Sequence, residues 1–303
     1  MTARKRFPTL LAAGALALTL AGCGDDPEPV ADDPGSEETS EGTPTDEPTE
    51  PTEPTSPAET GGTAEMTTVP VYFVGETPQG PKLFREFRKV EADNPLEEAA
   101  ALMTAGDAAD GDYRTLYSGG SLASVEYADG SFVVGLADAG WTKRGQGMSA
   151  YDAKLAVQQL VYTLQGVQQE RAPVVVQLDG SPTTLFGINT SAGVKEAKQL
   201  DVLGLVNVTT PEEGQEVGGK FTAEGVASSF EATVPWQIRQ GETVVKEGFA
   251  TAGGWVDKLY PWQTEVDVSG LEPGEYAFVA MTDDPSGGEG PGPTEDTKTI
   301  IVK

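Results

Sequence analysis

From residue 67 onward, apolar and polar positions follow two different rhythms, and the change of rhythm divides the chain. Val69-Pro-Val-Tyr-Phe-Val74 is a short apolar run of the kind that fills a buried strand, and Leu83-Phe-Arg-Glu-Phe-Arg-Lys-Val90 mixes large apolar and charged residues as a half-exposed strand does. Asn94 then predicts a helix start, with Pro95 in its first turn and Glu97 and Glu98 placed for the helix dipole. Leu96, Ala99, Ala100 and Met103 recur at helical spacing, and Gly106 stops the pattern. Leu122–Tyr127 and Ser131–Leu136 flank Ala128-Asp129-Gly130, which predicts a hairpin. A second helix opens on Ser149 and Asp152, carries an apolar stripe of Val157, Leu160, Val161 and Leu164, and is predicted to end at Gly166. Tyr151, Leu155 and Tyr162 lie on a neighbouring face, so this helix should be mostly buried. Pro173–Leu178 is a further strand, ending at Asp179-Gly180. The order ββαββαβ predicts a small α/β sandwich.

After about residue 200 the helical rhythm disappears. Short β-rich runs alternate with Gly, Pro and Asp turns. Phe230, Ala232, Val234, Trp236 and Ile238 alternate with mostly polar neighbours, as do Val266 and Val268, then Tyr276 and Phe278. About seven strands in this stretch predict an immunoglobulin-like β-sandwich. The fold class is therefore α+β, with the α/β sandwich at 67–200 followed by the all-β sandwich at 201–303.

The first 66 residues read differently. Arg4-Lys5-Arg6 precedes an apolar run from Phe7 to Ala21, too short for the roughly 20 residues that cross a bilayer as a helix. This is the pattern of a secretory signal, placed at 1–22. It ends at Leu20-Ala21-Gly22-Cys23, which resembles the bacterial lipobox, and Cys23 is the chain's one cysteine. The resemblance implies cleavage before Cys23 and lipid attachment, palmitate among the acyl chains, to its sulfur. The other reading is an ordinary signal with an incidental cysteine. Residues 23–66 form an acidic Pro/Thr-rich segment, expected to be a disordered tether because almost nothing in it can be buried.

The net charge is −28, with 14 acids and no base in residues 24–66. The remaining 67–303 holds 34 acids against 17 bases. Such a chain will not bind nucleic acid by neutralising phosphates, and anionic headgroups repel it. Membrane attachment thus falls to the lipid on Cys23, with two or more acyl chains needed for stability. No histidine is present, so Ser-His-Asp, Cys-His and His-ligated metal chemistry are excluded.

The residues 67–303 resemble a known pairing. Val71–Val74, Leu83–Arg88, Leu160–Leu164 and Val174–Gly180 are similar to the motif positions of the GerMN (sporulation and germination) domain. Thr210–Gly214, Gly225 and Phe230–Val234 resemble the immunoglobulin-like domain found beside GerMN in envelope lipoproteins. The loop after the first helix departs from the family's proline-containing form, reading Gly106-Asp-Ala-Ala-Asp-Gly-Asp112, and Ser118-Gly119-Gly120 replaces the proline before the next strand. The resemblance implies assembly with envelope proteins or the cell wall, and it carries over no catalytic residue and no cofactor.

Candidate chemistry is sparse. Gly214–Lys220 meets the Gly-x4-Gly-Lys skeleton of a phosphate-binding loop, but Phe221 follows where Ser or Thr is required. Asp107, Asp110 and Asp112 offer oxygen ligands around Gly111 without EF-hand spacing, and either a cation loop or a solvated loop would fit. Asp283, Asp284 and Glu289 lie similarly among glycines. No motif singles out a pair of carboxylates for glycoside hydrolysis, and Gly-x-Ser-x-Gly and Ser-x-x-Lys are both missing. Trp255, Tyr260 and Trp262 crowd one loop, where they would either meet a sugar or protein partner or plug the open end of the sandwich. The expectation is a non-enzymatic lipoprotein on the extracytoplasmic face of the cell membrane. It would act in assembly with an envelope protein partner or, alternatively, as a peptidoglycan-binding accessory protein.

Overall fold

The computed structural model describes residues 65–284 and 288–303. The signal segment, Cys23 and nearly all of the acidic segment lie outside the described residues. The described residues form one compact unit.

The first half opens with a hairpin, β1 (Met66–Gly75) and β2 (Lys82–Glu91), followed by α1 (Pro95–Ala105). The strands β3 (Leu122–Ala128) and β4 (Ser131–Leu136) make the second hairpin. Helix α2 (Ala150–Gln168) crosses over to β5 (Val174–Leu178), which pairs with β4 in parallel. The predicted order is therefore present. Three two-residue strands follow, β6 (Ser181–Pro182), β7 (Thr184–Leu185) and β8 (Ile188–Asn189), and then the short helix α3 (Gln199–Val202).

Both helices start largely as their sequences dictate. Ser149 and Asp152 form a reciprocal capping box at 3.0 Å in each direction. At α1, Pro95 occupies the first turn and Gly106 closes the helix in the left-handed region, φ 71°. Asn94 differs from expectation: its amide donates to the Glu97 carboxylate instead of its side chain capping backbone N–H groups. The end of α2 also differs. It runs past Gly166 to Gln168 and turns at Gln169, φ 60°. Gly166 is there for packing: a Cβ on it would sit 2.7 Å from Pro70 Cγ, so the bare backbone lets α2 lie against β1.

The second half is a two-sheet sandwich of eight strands. One sheet runs in the order β10 (Gln215–Val217), β16 (Glu295–Val302), β15 (Gly274–Met281), β12 (Thr233–Gln240), β13 (Thr243–Thr251). The other holds β14 (Tyr260–Asp267), β11 (Lys220–Ala227) and β9 (Val206–Thr210). Val234, Trp236 and Ile238 point inward from β12 as their alternation predicts. Phe230 and Ala232 do not belong to that strand. Residues 230–232 form a 3-10 turn in which Glu231 and Ala232 take positive φ, and the turn leaves Phe230 exposed.

Three apolar clusters hold the unit together. One packs α1 and α2 on the strands of the first half, and one fills the sandwich. The third joins them: Val74, Leu83, Leu155, Tyr162, Val202 and Leu203 are buried together, with Leu259 of the second half packed against them. The backbone follows suit, since Gly204 N–H donates to Leu83 O at 2.9 Å.

Candidate functional site

The junction between the halves carries the most unusual chemistry. Along β16 the inward positions are Asp296, Lys298, Ile300 and Val302, so two charged residues stand in core register. Lys298 Nζ contacts Asp110 Oδ2 at 2.5 Å and Asp296 Oδ1 at 3.2 Å, and all three side chains are at most 4% exposed. Tyr113 O–H donates to Asp296 Oδ1 at 2.6 Å, and the Lys298 ammonium stands 4.4 Å from the Tyr113 ring centre. The second oxygen of Asp296 accepts Val208 N–H and the Asn207 amide at 2.6 and 3.1 Å. Glu86 of β2 fastens the Asp110 loop from the other side, accepting Ala109 and Asp110 N–H at 3.0 and 2.7 Å.

Electrostatics follow from this packing. Burial alone would lower the Lys298 ammonium, but Asp296 and Asp110 outweigh it and hold its pKa above the ordinary lysine value. Burial lifts Asp110, with Lys298 pulling the other way. Burial and the neighbouring carboxylates push the Tyr113 hydroxyl well above its ordinary value. This cluster explains the acidic loop. Asp107 pairs with Arg88, Asp110 with Lys298, and Asp112 accepts from the Thr297 hydroxyl at 2.8 Å. Asp110 and Asp112 are thus spent on docking the second half and Asp107 on its own half, and no group of acids suited to a metal occurs among the described residues.

Beside this junction, β2 borders two large open cavities and a smaller one lined by Leu83 and Arg85. One, of about 390 Å³, runs between Arg88 and Lys89 on β2 and Thr209 and Glu213 of the second half. The other, of about 440 Å³, lies between the β1–β2 hairpin and α2 and is lined by Tyr72, Phe87, Tyr162 and Arg171. Arg85 borders both. Its guanidinium lies 5.1 Å from the Phe87 ring centre, and one terminal nitrogen donates to Thr209 Oγ1 at 3.2 Å. Its Nε is buried with no hydrogen-bond partner among the described residues. Burial raises the Tyr72 hydroxyl, with Arg85 and Arg171 opposing the shift.

The aromatic loop divides. Trp262 is a correction to the expected contact site: it is 3% exposed in β14 and packs under Gly225, where a Cβ would meet the Asn207 carbonyl and the indole. It is a core residue. Tyr260 is half-buried against the same core and donates to Asp257 at 2.7 Å. Trp255 alone is exposed, at 40%, edge-on to Phe230 with ring centres 5.2 Å apart. Val256 beside it is 64% exposed with φ 91°, a strained position for a β-branched residue. Gly214–Lys220 is a glycine-rich turn around β10, and Lys220 pairs with Glu265. No helix follows it, so the phosphate-loop geometry is not built.

Sequence reasoning passed over Arg85, Arg171 and Lys298. Only Lys298 left a local signal, as a charge on the apolar phase of a strand.

Comparison with known proteins agrees with this architecture. Residues 70–184 match the family model described as sporulation and spore germination. Residues 205–289 match the model described as the immunoglobulin-like domain of bacterial spore germination. Among solved structures, the tandem GerMN domains of the sporulation protein GerM from Bacillus subtilis are 14% identical, with 44% of this chain and 50% of that one covered and a TM-score of 0.31. The chain thus spans about half the length of that structure. WR4, an MSP family member of C. elegans, is 15% identical over 33% of this chain and 99% of its own, with a TM-score of 0.19. None of the curated proteins matches the chain. Neither matched family is a known enzyme family. The chain carries a sporulation and spore germination (GerMN) domain followed by an immunoglobulin-like domain of bacterial spore germination.

Proposed function

We propose that this protein is a non-catalytic interaction and assembly module of the bacterial cell envelope, held on the extracytoplasmic face of the membrane by lipid on Cys23. The observation that carries the reading is the buried junction: Lys298, Asp110, Asp296 and Tyr113 join two germination-type domains into one body. A fixed relation between domains lets their surfaces act together on one partner without the entropic cost of ordering a hinge. The lipobox-like Leu20–Cys23 supports the anchoring half of the proposal. Crosslinking in live cells with mass spectrometry tests the assembly half, and the expected result is a discrete set of envelope proteins. Recovery of the protein alone would contradict it. For the anchor, Cys23→Ser is expected to abolish labelling by a fatty-acid probe, and equal labelling of both forms would refute it.

A second reading, peptidoglycan binding, draws on the exposed Trp255–Phe230 pair, since aromatic faces stack on sugars. Sedimentation with intact peptidoglycan, lost in Trp255→Ala, would favour that reading over a protein partner.

A further inference from the structure

The cavity between the β1–β2 hairpin and α2 brings two arginines to one concave surface. Residues 67–303 contain twice as many acids as bases, 34 to 17, and three of the six described arginines lie within 4.0 Å of a carboxylate. These are Arg88, Arg114 and Arg239. Among the described residues, Arg85, Arg144 and Arg171 have no carboxylate within 4.0 Å. Two of these three, Arg85 and Arg171, line this one cavity, which arises where β2 and the chain beyond the end of α2 come together. The walls between them are aromatic: Tyr72 and Tyr162, with ring centres 5.4 Å apart, and Phe87 under the Arg85 guanidinium.

Resting on the interaction reading above, we infer that this cavity binds the carboxylate of an acidic peptide segment on a partner protein. A guanidinium presents a planar fork that matches a carboxylate, and two of them flank the cavity. Tyr and Arg are also the residues that anchor protein interfaces. A sugar would need free amides and hydroxyls to read its own hydroxyl groups, and here several are committed. The Gln165 amide donates to Ala172 O and Glu196, the Gln199 carbonyl accepts Leu259 N–H, and the Tyr162 hydroxyl donates to Ala197 O. The net negative charge of the surrounding chain adds selectivity, because it disfavours a partner that is acidic well beyond the docked segment.

The test uses the full chain and arrays of short capped peptides rich in Asp and Glu, each paired with its Asn/Gln counterpart, with polygalacturonate as a carboxylated glycan. The expected result is retention of acidic members over their amide counterparts, weakening at high salt. Arg171→Gln should weaken binding about tenfold, the loss of a charge-assisted bond. Arg171 is exposed, so its substitution should leave the melting temperature unchanged, and Arg85→Gln gives a second reading. Equal retention of acid and amide forms, no retention at all, or binding indifferent to Arg171→Gln would each overturn the inference. Tighter binding of polygalacturonate than of any peptide would reassign the cavity to a glycan. If the arrays fail while live-cell crosslinking still yields partners, the cavity assignment falls and the interaction reading stands.

Discussion

Two clusters of buried polar side chains in this molecule are built in two different ways. On α2 they are neutral. Gln159 donates to Tyr72 O at 3.0 Å, Thr163 accepts Tyr72 N–H at 3.1 Å, and Gln158 both donates to Lys195 O and accepts Ala197 N–H. Each side chain serves a nearby backbone group and fixes the helix against strand and loop. At the domain junction they are charged, and one ammonium serves two carboxylates from different domains. The difference is one of consequence. A neutral amide removed from α2 strands one or two backbone groups, whereas Lys298 removed from the junction strands two buried negative charges. The charged device therefore makes the two domains depend on each other more than either depends on any one of its own polar bonds.

The largest effect should come from breaking the charged side of this comparison. Lys298→Met is expected to cost about 3–5 kcal/mol, because Asp110 and Asp296 lose their cation without losing their burial. Denaturant unfolding measures it, and a loss under about 1 kcal/mol would mean the junction is wet and screened. The pH dependence sharpens the point. Lys298 and Tyr113 both have folded-state pKa values raised above their unfolded ones. Their contribution is then fully present below about pH 10, near the unfolded values, and fades as pH rises toward the folded ones. Wild type should lose stability above that pH faster than Lys298→Met does.

Trp262→Ala should fall in a similar range, about 3–5 kcal/mol, as truncation of a buried indole. On the neutral side, Gln159→Leu should cost about 1–3 kcal/mol, leaving Tyr72 O without its donor. If it matched Lys298→Met, the distinction between the two kinds of burial would fail. Trp255→Ala should be the smallest, within about 0.5 kcal/mol in thermal unfolding, because the side chain stands out in solvent.

How far the sequence carries depends on how local the governing contact is. The capping box at Ser149, the Gly106 stop and the inward phase of β12 are decided within a few residues, and they are present as read. Gly166 departs from expectation because glycine after an apolar stripe usually ends a helix, while here it answers to Pro70, far away in the chain. Phe230 departs from it because its apolar alternation with Val234 is genuine, yet two positive-φ residues break the strand before it begins. The aromatic trio shared one loop in sequence but not one environment: β14 carries Trp262 into the core and leaves Trp255 outside. Arg85 and Arg171 line one cavity only because the fold brings β2 near the chain beyond α2, and no short motif encodes that.

Whether the two domains form one cooperative body through the charged junction can be read from calorimetric unfolding of the purified protein. The expected result is a single transition whose calorimetric and van't Hoff enthalpies agree, resolving into two transitions in Lys298→Met. Two separate transitions in the wild-type protein would contradict it.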